Sequence, residues 1–363
     1  MYDYLIVGTG LFGSVFASKA IGKGKKVLMV EKRSHIGGNL YTENRDGINI
    51  HMYGAHIFHT SDKAVWDYIT SYASFNQFIN SPIANYKGRV FNMPFNMNTF
   101  ARMWDISTPD EARAIIEEQR KEIKGEARNL EEQAISLVGR DIYNTLVKGY
   151  TEKQWGCDAR ELGPEIIKRI PVRFTYDNNY FNDRYQGIPE GGYTAIIEKM
   201  TEGADILLST DFTLDSPLAG KAERILYTGC LDRLYGYSLG RLGYRSEVFE
   251  MERIEKEDYQ GVAVVNYTDR ETPFTRIIEH KHFEKSSSPV TWISREYPVD
   301  YLKTGEPYYP INNEDNRKLY SQYRILAEKD SRLILGGRLA EYAYYDMDKT
   351  IASALALAGK EGL

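Results

Sequence analysis

The feature that most constrains this chain is a glycine turn, Gly8-Thr9-Gly10-Leu11-Phe12-Gly13, set between an apolar run and a helix-forming run. Tyr4-Leu5-Ile6-Val7 precedes it as a buried strand, residues 14–21 follow as a helix closed by Gly22 and Gly24, and Val27-Leu28-Met29-Val30 returns as a second strand. Two apolar runs joined by a helix form a parallel βαβ unit. Gly8 permits the tight turn, Gly10 lets the backbone approach a pyrophosphate, and Gly13 lets helix and strand pack closely. The helix N-terminus then faces the anion. Glu31 ends the second strand, 23 residues after Gly8, where it accepts hydrogen bonds from ribose hydroxyls. The turn therefore predicts a dinucleotide site.

At 363 residues the chain has room for two or three structural units. Hydrophobic residues make up 42% and charged residues 27%, which favours neither disorder nor a membrane class. The formal net charge of -5 argues against a duplex-binding surface, which needs excess Lys and Arg, so no nucleic-acid partner is expected. Cys157 and Cys230 lack CxxC spacing and make no disulfide framework, which fits a reducing compartment. No apolar run reaches the ~20 residues of a membrane helix, and the first residues carry no secretory pattern. A cytoplasmic location without a membrane partner is expected. The 28 tyrosines are mostly packing residues, but the type also suits stacking on a base and hydrogen bonding to phosphate or sugar.

Further along, Thr108-Pro109-Asp110-Glu111 is a helix start, with the helix over 112–124; Asn129 opens a second helix to Val138, and a third is expected over 141–150. These make a small helical bundle. Between 243 and 300 come short β-runs at 262–268, 275–279 and 290–293, which predict an antiparallel sheet. Leu333-Ile334-Leu335 before Gly336-Gly337-Arg338 reads as a strand meeting a glycine turn, with a helix over 349–358. That is again the texture of the first forty residues.

The string after Glu31 bears on which dinucleotide is bound. Lys32-Arg33-Ser34-His35-Ile36-Gly37-Gly38-Asn39 completes a Glu-x5-Gly-Gly pattern that resembles the FAD-binding signature of the large flavoprotein group including the amine oxidases. On that likeness the cofactor is FAD, with Phe12 and Lys32 joining the glycines and Glu31 around it. Arg33 reaches the adenosine end, and Gly38 and Asn39 offer backbone near the pyrophosphate and flavin. Arg338 is suited to neutralise FAD phosphate, and the helix that follows Tyr345-Asp346-Met347 to stabilise negative charge at the flavin N1/C2 edge.

A more specific likeness runs through Tyr53-Gly54-Ala55-His56-Ile57-Phe58-His59-Thr60, Phe95-Asn96-Met97-Asn98-Thr99-Phe100, Gly149-Tyr150-Thr151-Glu152-Lys153-Gln154-Trp155-Gly156 and residues 166–179. It continues in Tyr185-Gln186-Gly187-Ile188-Pro189, in residues 275–283, in Glu306-Pro307-Tyr308-Tyr309-Pro310 and in Gly337-Arg338-Leu339-Ala340-Glu341-Tyr342. These strings resemble the bacterial UDP-galactopyranose mutase family. The resemblance implies an α/β fold: a discontinuous Rossmann-like FAD-binding domain with a small helical-bundle domain and an antiparallel β-sheet domain. Expected boundaries are 1–78, 189–240 and 321–363 for the FAD-binding domain, 99–168 for the helical domain, and 79–98, 169–188 and 241–320 for the sheet domain. The active site would lie in the cleft between them.

Carried over residue by residue, the uracil and ribose contacts of that family fall on the neighbourhood of Asn80 and Ala84 and on Tyr150, Thr151, Trp155 and Tyr180. Arg169 and Arg276 would hold the diphosphate, because a guanidinium fork matches phosphate oxygens. The Lys168-Arg169-Ile170-Pro171-Val172-Arg173 string places Arg169, not Arg173, in the functional position, and Arg245 is a third candidate. Tyr309 and Tyr344 resemble phosphate-binding tyrosines, with Tyr308 and Tyr345 as register alternatives. His56 and Ile57 are expected beside the flavin. His59, His280 and His282 are read as structural, and no metal is expected, because no Cys or carboxylate cluster accompanies them along the sequence.

The resemblance implies an isomerase interconverting UDP-galactopyranose and UDP-galactofuranose, with Arg169, Arg276 and His56 catalytic. N5 of reduced FAD would be the nucleophile at the anomeric carbon, with no net redox change. It further implies a role in supplying cell-surface polysaccharide, an electron donor such as NAD(P)H, and a homodimer. Two readings compete. An FAD-dependent oxidoreductase of the amine oxidase-like group would share the glycine signature but transfer hydride in net terms, and a non-catalytic nucleotide-sugar binder would keep FAD only as structure. The two arginines and paired tyrosines favour the isomerase, since an amine oxidase has no diphosphate to hold.

Overall fold

The glycine turn sits at the end of the middle strand of a five-stranded parallel sheet. The computed structural model describes residues 1–167 and 171–363. Its strand order is Leu333–Leu335, Ala222–Tyr227, Tyr2–Val7, Val27–Val30, Asp205–Leu207, every neighbouring pair parallel. Three separated stretches of chain thus build one sheet. Both faces are covered, as the backbone of an all-parallel sheet requires. On one face Leu11–Gly22, Tyr193–Met200 and Met347–Lys360 enclose Ile6, Val15, Phe16, Met29, Ile197 and Ile351. On the other, Leu5, Leu28, Ile225 and Leu231 pack with Tyr323 from Glu314–Ala327. The first helix starts at Leu11, three residues earlier than the sequence suggested, because extended Gly10 serves as its N-cap and its first turn is buried.

A second sheet has the order Tyr309–Pro310, Tyr244–Ile254, Thr291–Asp300, Arg276–Glu279, Val264–Tyr267, Ile83–Tyr86, Arg89–Asn92. The sheet is antiparallel, as the sequence predicts, with one exception: Val264–Tyr267 and Ile83–Tyr86 pair in parallel. Those two strands are joined by a long excursion through the helices, so no hairpin dictates their direction. The ladder between Tyr244–Ile254 and Thr291–Asp300 runs from Arg245 opposite Asp300 to Ile254 opposite Thr291 and forms the sheet's longest pairing.

In the helical unit, Thr108 and Glu111 cap Pro109–Arg120 reciprocally, as the sequence predicts. Leu130–Ile142 starts at its Asn129 cap but runs past Val138, kinked at Gly139 (φ 80°, ψ 164°). The third expected helix is instead a π-helical turn, Tyr143–Val147, leading into Lys148–Trp155. Its wider turn changes which face the following residues present, and Leu146, Val147, Tyr150 and Thr151 all line the cleft described below. The expected boundaries at 98 and 320 fall inside Met97–Trp104 and Glu314–Ala327, where continuous helix allows no division. Among the described residues no helix is long and apolar enough to cross a membrane.

Candidate active site

A cavity of about 630 Å³ opens among the two sheets and the helical unit. At one end it is lined by Gly8, Gly10, Phe12, Gly13, Glu31, Lys32, Arg33, Gly38 and Asn39. A Cβ on Gly13 would stand 2.2 Å from the Gly8 carbonyl oxygen, so no larger residue permits this approach of helix to strand. Gly38, at φ +54°, faces Gly10, and a Cβ there would lie 3.0 Å from the Gly10 Cα. Two bare backbones therefore form a slot before a helix N-terminus, which fits a pyrophosphate. Glu31, 5% exposed, accepts from the Thr9 N–H at 3.1 Å, the Thr9 hydroxyl at 2.8 Å and the Arg33 N–H at 3.0 Å. A carboxylate offers about four acceptor positions, so room remains for a ribose hydroxyl. Lys32 and Arg33 pair with Glu306 at 2.6 and 3.2 Å. Arg33 also lies 4.2 Å over the Tyr53 ring, and its Nη1 is buried without a partner. The slot, the acid and the orphaned guanidinium nitrogen together suit an FAD-type dinucleotide.

The polar centre lies on the larger sheet. Arg276, with 27% of its side chain open, stands directly opposite fully buried Glu296 on the next strand and forms an ion pair with it. Glu247 accepts from Gln154 Nε2 at 2.9 Å. Burial pushes the Glu296 carboxyl up to about 7, with Arg276 pulling it down and Glu247 adding to the rise. Burial opposes the Arg276 charge, yet Glu296, Tyr150 and Glu247 keep that guanidinium well above its ordinary range. The charge of Glu247, with burial, raises the Tyr309 phenol, and burial raises Tyr150 to about 12. Both phenols remain donors at neutral pH. Burial lowers His56 to about 4, and nearby Arg338 and Arg276 act in the same direction. Its Nδ1 lies 2.9 Å from the Gly54 carbonyl, which can only accept, so Nδ1 carries the proton. Tyr309 and Tyr344 lie 6.0 Å apart by ring centroid, and Arg338 sits 5.9 Å from the Tyr344 ring.

The far end is aromatic and apolar: Asn80, Phe95, Leu146, Val147, Tyr150, Thr151, Tyr180 and Phe181 line it. Lys153, on the helix of Tyr150, donates to the carbonyls of Tyr267, Thr272 and Phe274 at 2.7, 3.1 and 2.9 Å. One ammonium thereby ties that helix to the hairpin that leads into Arg276.

Comparison with known proteins gives this geometry a lineage. A family model described as UDP-galactopyranose mutase matches residues 145–344, and one described as an NAD(P)-binding Rossmann-like domain matches residues 6–72. A probable UDP-galactopyranose mutase of Klebsiella pneumoniae is 41% identical over 97% of this chain and 93% of its own length. The chain belongs to the UDP-galactopyranose mutase family. A dTDP-fucopyranose mutase of Escherichia coli is 34% identical over 98% of this chain and 97% of its own. In fold, the chain is similar to a crystal structure of reduced UDP-galactopyranose mutase, with a TM-score of 0.77, 14% identity, and coverage of 99% of this chain and 94% of that one.

In this UDP-galactopyranose mutase family member the cavity brings together His56, Ile57, Asn80, Tyr150, Thr151, Tyr180, Arg276, Tyr309, Arg338, Tyr344, Tyr345, Asp346 and Met347. It does not reach three of the expected residues. Ala84 is fully buried in the core of the helical unit, and Arg245 donates its Nε–H to the Gln154 carbonyl at 3.0 Å. Trp155 ends its helix before Gly156 and is not among the residues that line the cavity. Arg169 lies outside the described residues. Arg173 donates to the carbonyls of Asn179 and Phe181. Tyr308 also lines the cavity, and Tyr345 donates to Glu341 at 2.6 Å.

His59 does more than pack: it lines the cavity, stacks on Phe181 and holds Asp183 at 2.6 Å through Nδ1. His282 has the carboxylate neighbours that its sequence surroundings did not reveal, Asp258 at 3.4 Å and Glu279 at 3.3 Å, outside the cavity lining. Sequence reasoning also missed Glu247, Glu296 and Glu306. For Glu296 a signal existed, an acidic residue on the inward parity of a strand; Glu306 stood in a recognisable string without a visible partner, and Glu247 shows none until its strand is paired.

Proposed function

We infer that the protein interconverts UDP-galactopyranose and UDP-galactofuranose on reduced FAD, with no net redox change. The observation that carries this reading is the convergence of Arg276, Tyr309, Tyr344 and Arg338 on one stretch of cavity wall, between a dinucleotide slot and an aromatic end. Ring contraction breaks the bond from C1 to phosphate, opens the pyranose and recloses it through another hydroxyl, so the diphosphate must leave yet stay held. Arg276 binds it through the guanidinium fork and stabilises the charge that grows as the bond breaks. Tyr309 and Tyr344 donate their O–H groups to the same oxygens. Neutral His56 fixes the wall beside the flavin through its bond to Gly54. When bound and reduced, FAD supplies N5 as the nucleophile for the anomeric carbon.

We assign Arg169 as the second cation on the diphosphate, and Asn80, Tyr150, Thr151 and Tyr180 to the nucleoside. Gly8, Gly10, Phe12, Gly13, Glu31, Lys32, Arg33, Gly38, Asn39, Ile57, Arg338, Tyr345, Asp346 and Met347 are assigned to FAD. The product would serve cell-surface polysaccharide synthesis from the cytoplasm, by a homodimer that takes its electrons from a donor such as NAD(P)H. The E. coli relative supports a second reading, dTDP-fucopyranose as substrate, though at lower identity. Chemically reduced protein is incubated with UDP-galactofuranose, and in parallel with dTDP-fucopyranose, and products are separated by chromatography. UDP-galactopyranose formed in large excess over the reductant consumed is expected. Stoichiometric consumption of reductant would select the oxidoreductase instead.

A further inference from the structure

Arg276 stands opposite Glu296, and Phe249 stands opposite Glu296 from the other side. Directly opposed residues share a face of a sheet, as do residues two apart along a strand. Glu247 therefore lies on the face that carries Glu296 and Arg276; Arg276 and Glu247 reach the cavity wall, and Glu296 is buried behind them. Glu296 is fully buried; its Oε2 pairs with Arg276, its Oε1 meets no hydrogen bond of ordinary geometry, and the Ala55 backbone N–H gives the carboxylate weak further support. The groups that face it are Arg276, Glu247 on Tyr244–Ile254, Tyr150 on Lys148–Trp155 and the Ala55 backbone N–H; Tyr309 on Tyr309–Pro310 faces Arg276 and Glu247. Among the described residues Arg276 is the cation on which its charge depends.

A buried carboxylate with an unbonded oxygen and a second carboxylate beside it is a poorly supported anion. A diphosphate docking on Arg276 brings two more negative charges to the same guanidinium. We propose that Glu296 is a positioning residue for Arg276 that takes up a proton when the diphosphate of a nucleotide sugar binds, freeing the guanidinium for the ligand without leaving a buried anion behind. The inference rests on the reading of Arg276 as a diphosphate ligand. One proton passes from the buffer to the carboxylate, and no other group changes charge. With Glu296 held at about 7 in the free protein, both forms are accessible at neutral pH. His56 at about 4 and Tyr150 at about 12 are too far from neutrality to exchange that proton.

The test is calorimetric titration of the oxidised, FAD-loaded protein with UDP-galactose, whose pyrophosphate diester does not titrate near neutrality. Buffers of different ionisation enthalpy read the protons taken up. Uptake of about 0.5–0.75 proton at pH 7.5 is expected, falling toward zero at pH 5.5, where Glu296 is already protonated. Glu296→Gln should bind UDP-galactose with no uptake. Zero uptake in the wild type at pH 7.5, or unchanged uptake in Glu296→Gln, overturns the proposal. Should that variant fold poorly, Glu247→Gln, which removes the neighbouring charge, should move the uptake profile to lower pH; an unmoved profile also overturns it. Arg276→Ala separates the two readings. Unweakened binding by that variant removes Arg276 from the diphosphate site, whereas binding weakened tenfold or more, with no wild-type uptake, overturns only the role of Glu296.

Discussion

The coupling between Arg276 and Glu296 can be read in stability as well as in binding, through Arg276→Ala. An unfolded glutamate titrates near 4.3, and folded Glu296 near 7 because burial disfavours its anion. Between these values the unfolded chain binds fewer protons, so the contribution of Glu296 to wild-type stability falls as pH rises from about 4.3 to about 7, then levels off. Removing Arg276 removes the cation that holds the folded value down, and the decline continues to higher pH. At pH 6.5 Glu296 is still mostly protonated in the wild type, and the loss from this source is well under ~1 kcal/mol. At pH 8.5 the wild type retains about 2 kcal/mol of ionisation free energy that the variant lacks. Urea unfolding of both proteins at the two pH values, followed by far-ultraviolet circular dichroism, should show a destabilisation about 2 kcal/mol larger at pH 8.5, on top of any pH-independent loss of packing. Equal destabilisation at both pH values would refute the reasoning, because the pair would then not be energetically coupled.

Arg169→Ala should lose about 10- to 150-fold in turnover with FAD content unchanged, the equivalent of one charge-assisted contact of ~1.5–3 kcal/mol. Arg173→Ala should act on folding, since its guanidinium holds the carbonyls of Asn179 and Phe181; wild-type kinetics for Arg169→Ala would move the assignment to Arg173. Gly13→Ala should yield protein without flavin absorbance at 450 nm or so, because its Cβ meets the Gly8 carbonyl oxygen at 2.2 Å; a fully yellow variant would show that the turn can relax. Burial depresses His51, His56 and His280, so the unfolded chain binds more protons below about 6.5 and these groups should lower stability as pH falls toward 4. Replacing His280 by Gln should flatten that acid limb in a urea series, and an unaltered slope would remove His280 from the account.

The parallel unit was legible because everything that specifies it acts within forty residues: Gly8, Gly10 and Gly13, two apolar runs and a helix between them. The reciprocal cap of Thr108 and Glu111 was legible for the same reason. Legibility failed where distant strands meet. Nothing near Ile83 announces a parallel partner in Val264–Tyr267, and although the parity of Glu296 on its strand marks it as inward, nothing pairs it with Arg276 until the strands are aligned. Local propensity also missed the kink at Gly139 and the π-helical turn after it, because a helix-period pattern does not distinguish 3.6 residues per turn from a single wider turn. Among the residues near the cleft, those of the glycine turn and the Tyr53-to-Thr60 string came from contiguous motifs. Glu306 stood in a recognisable string, yet nothing local told that it meets Lys32 and Arg33 across more than 270 positions.

The five-stranded sheet has a consequence for the order in which the protein is made. Among the strands of this sheet Tyr2–Val7 is translated before the others, yet one of its two neighbours, Ala222–Tyr227, follows more than 200 residues later, and Leu333–Leu335 later still. At about 5–20 residues per second, the first strand waits roughly 10–40 s for that neighbour. During this wait Leu5 and Ile6, fully buried in the finished fold, have their partners in Val27–Val30 but lack those opposite them in the later strand, Ile225 and Leu226. A nascent chain of this design has a prolonged need for chaperone cover, and truncated products that end before residue 222 should aggregate rather than accumulate as flavin-binding fragments.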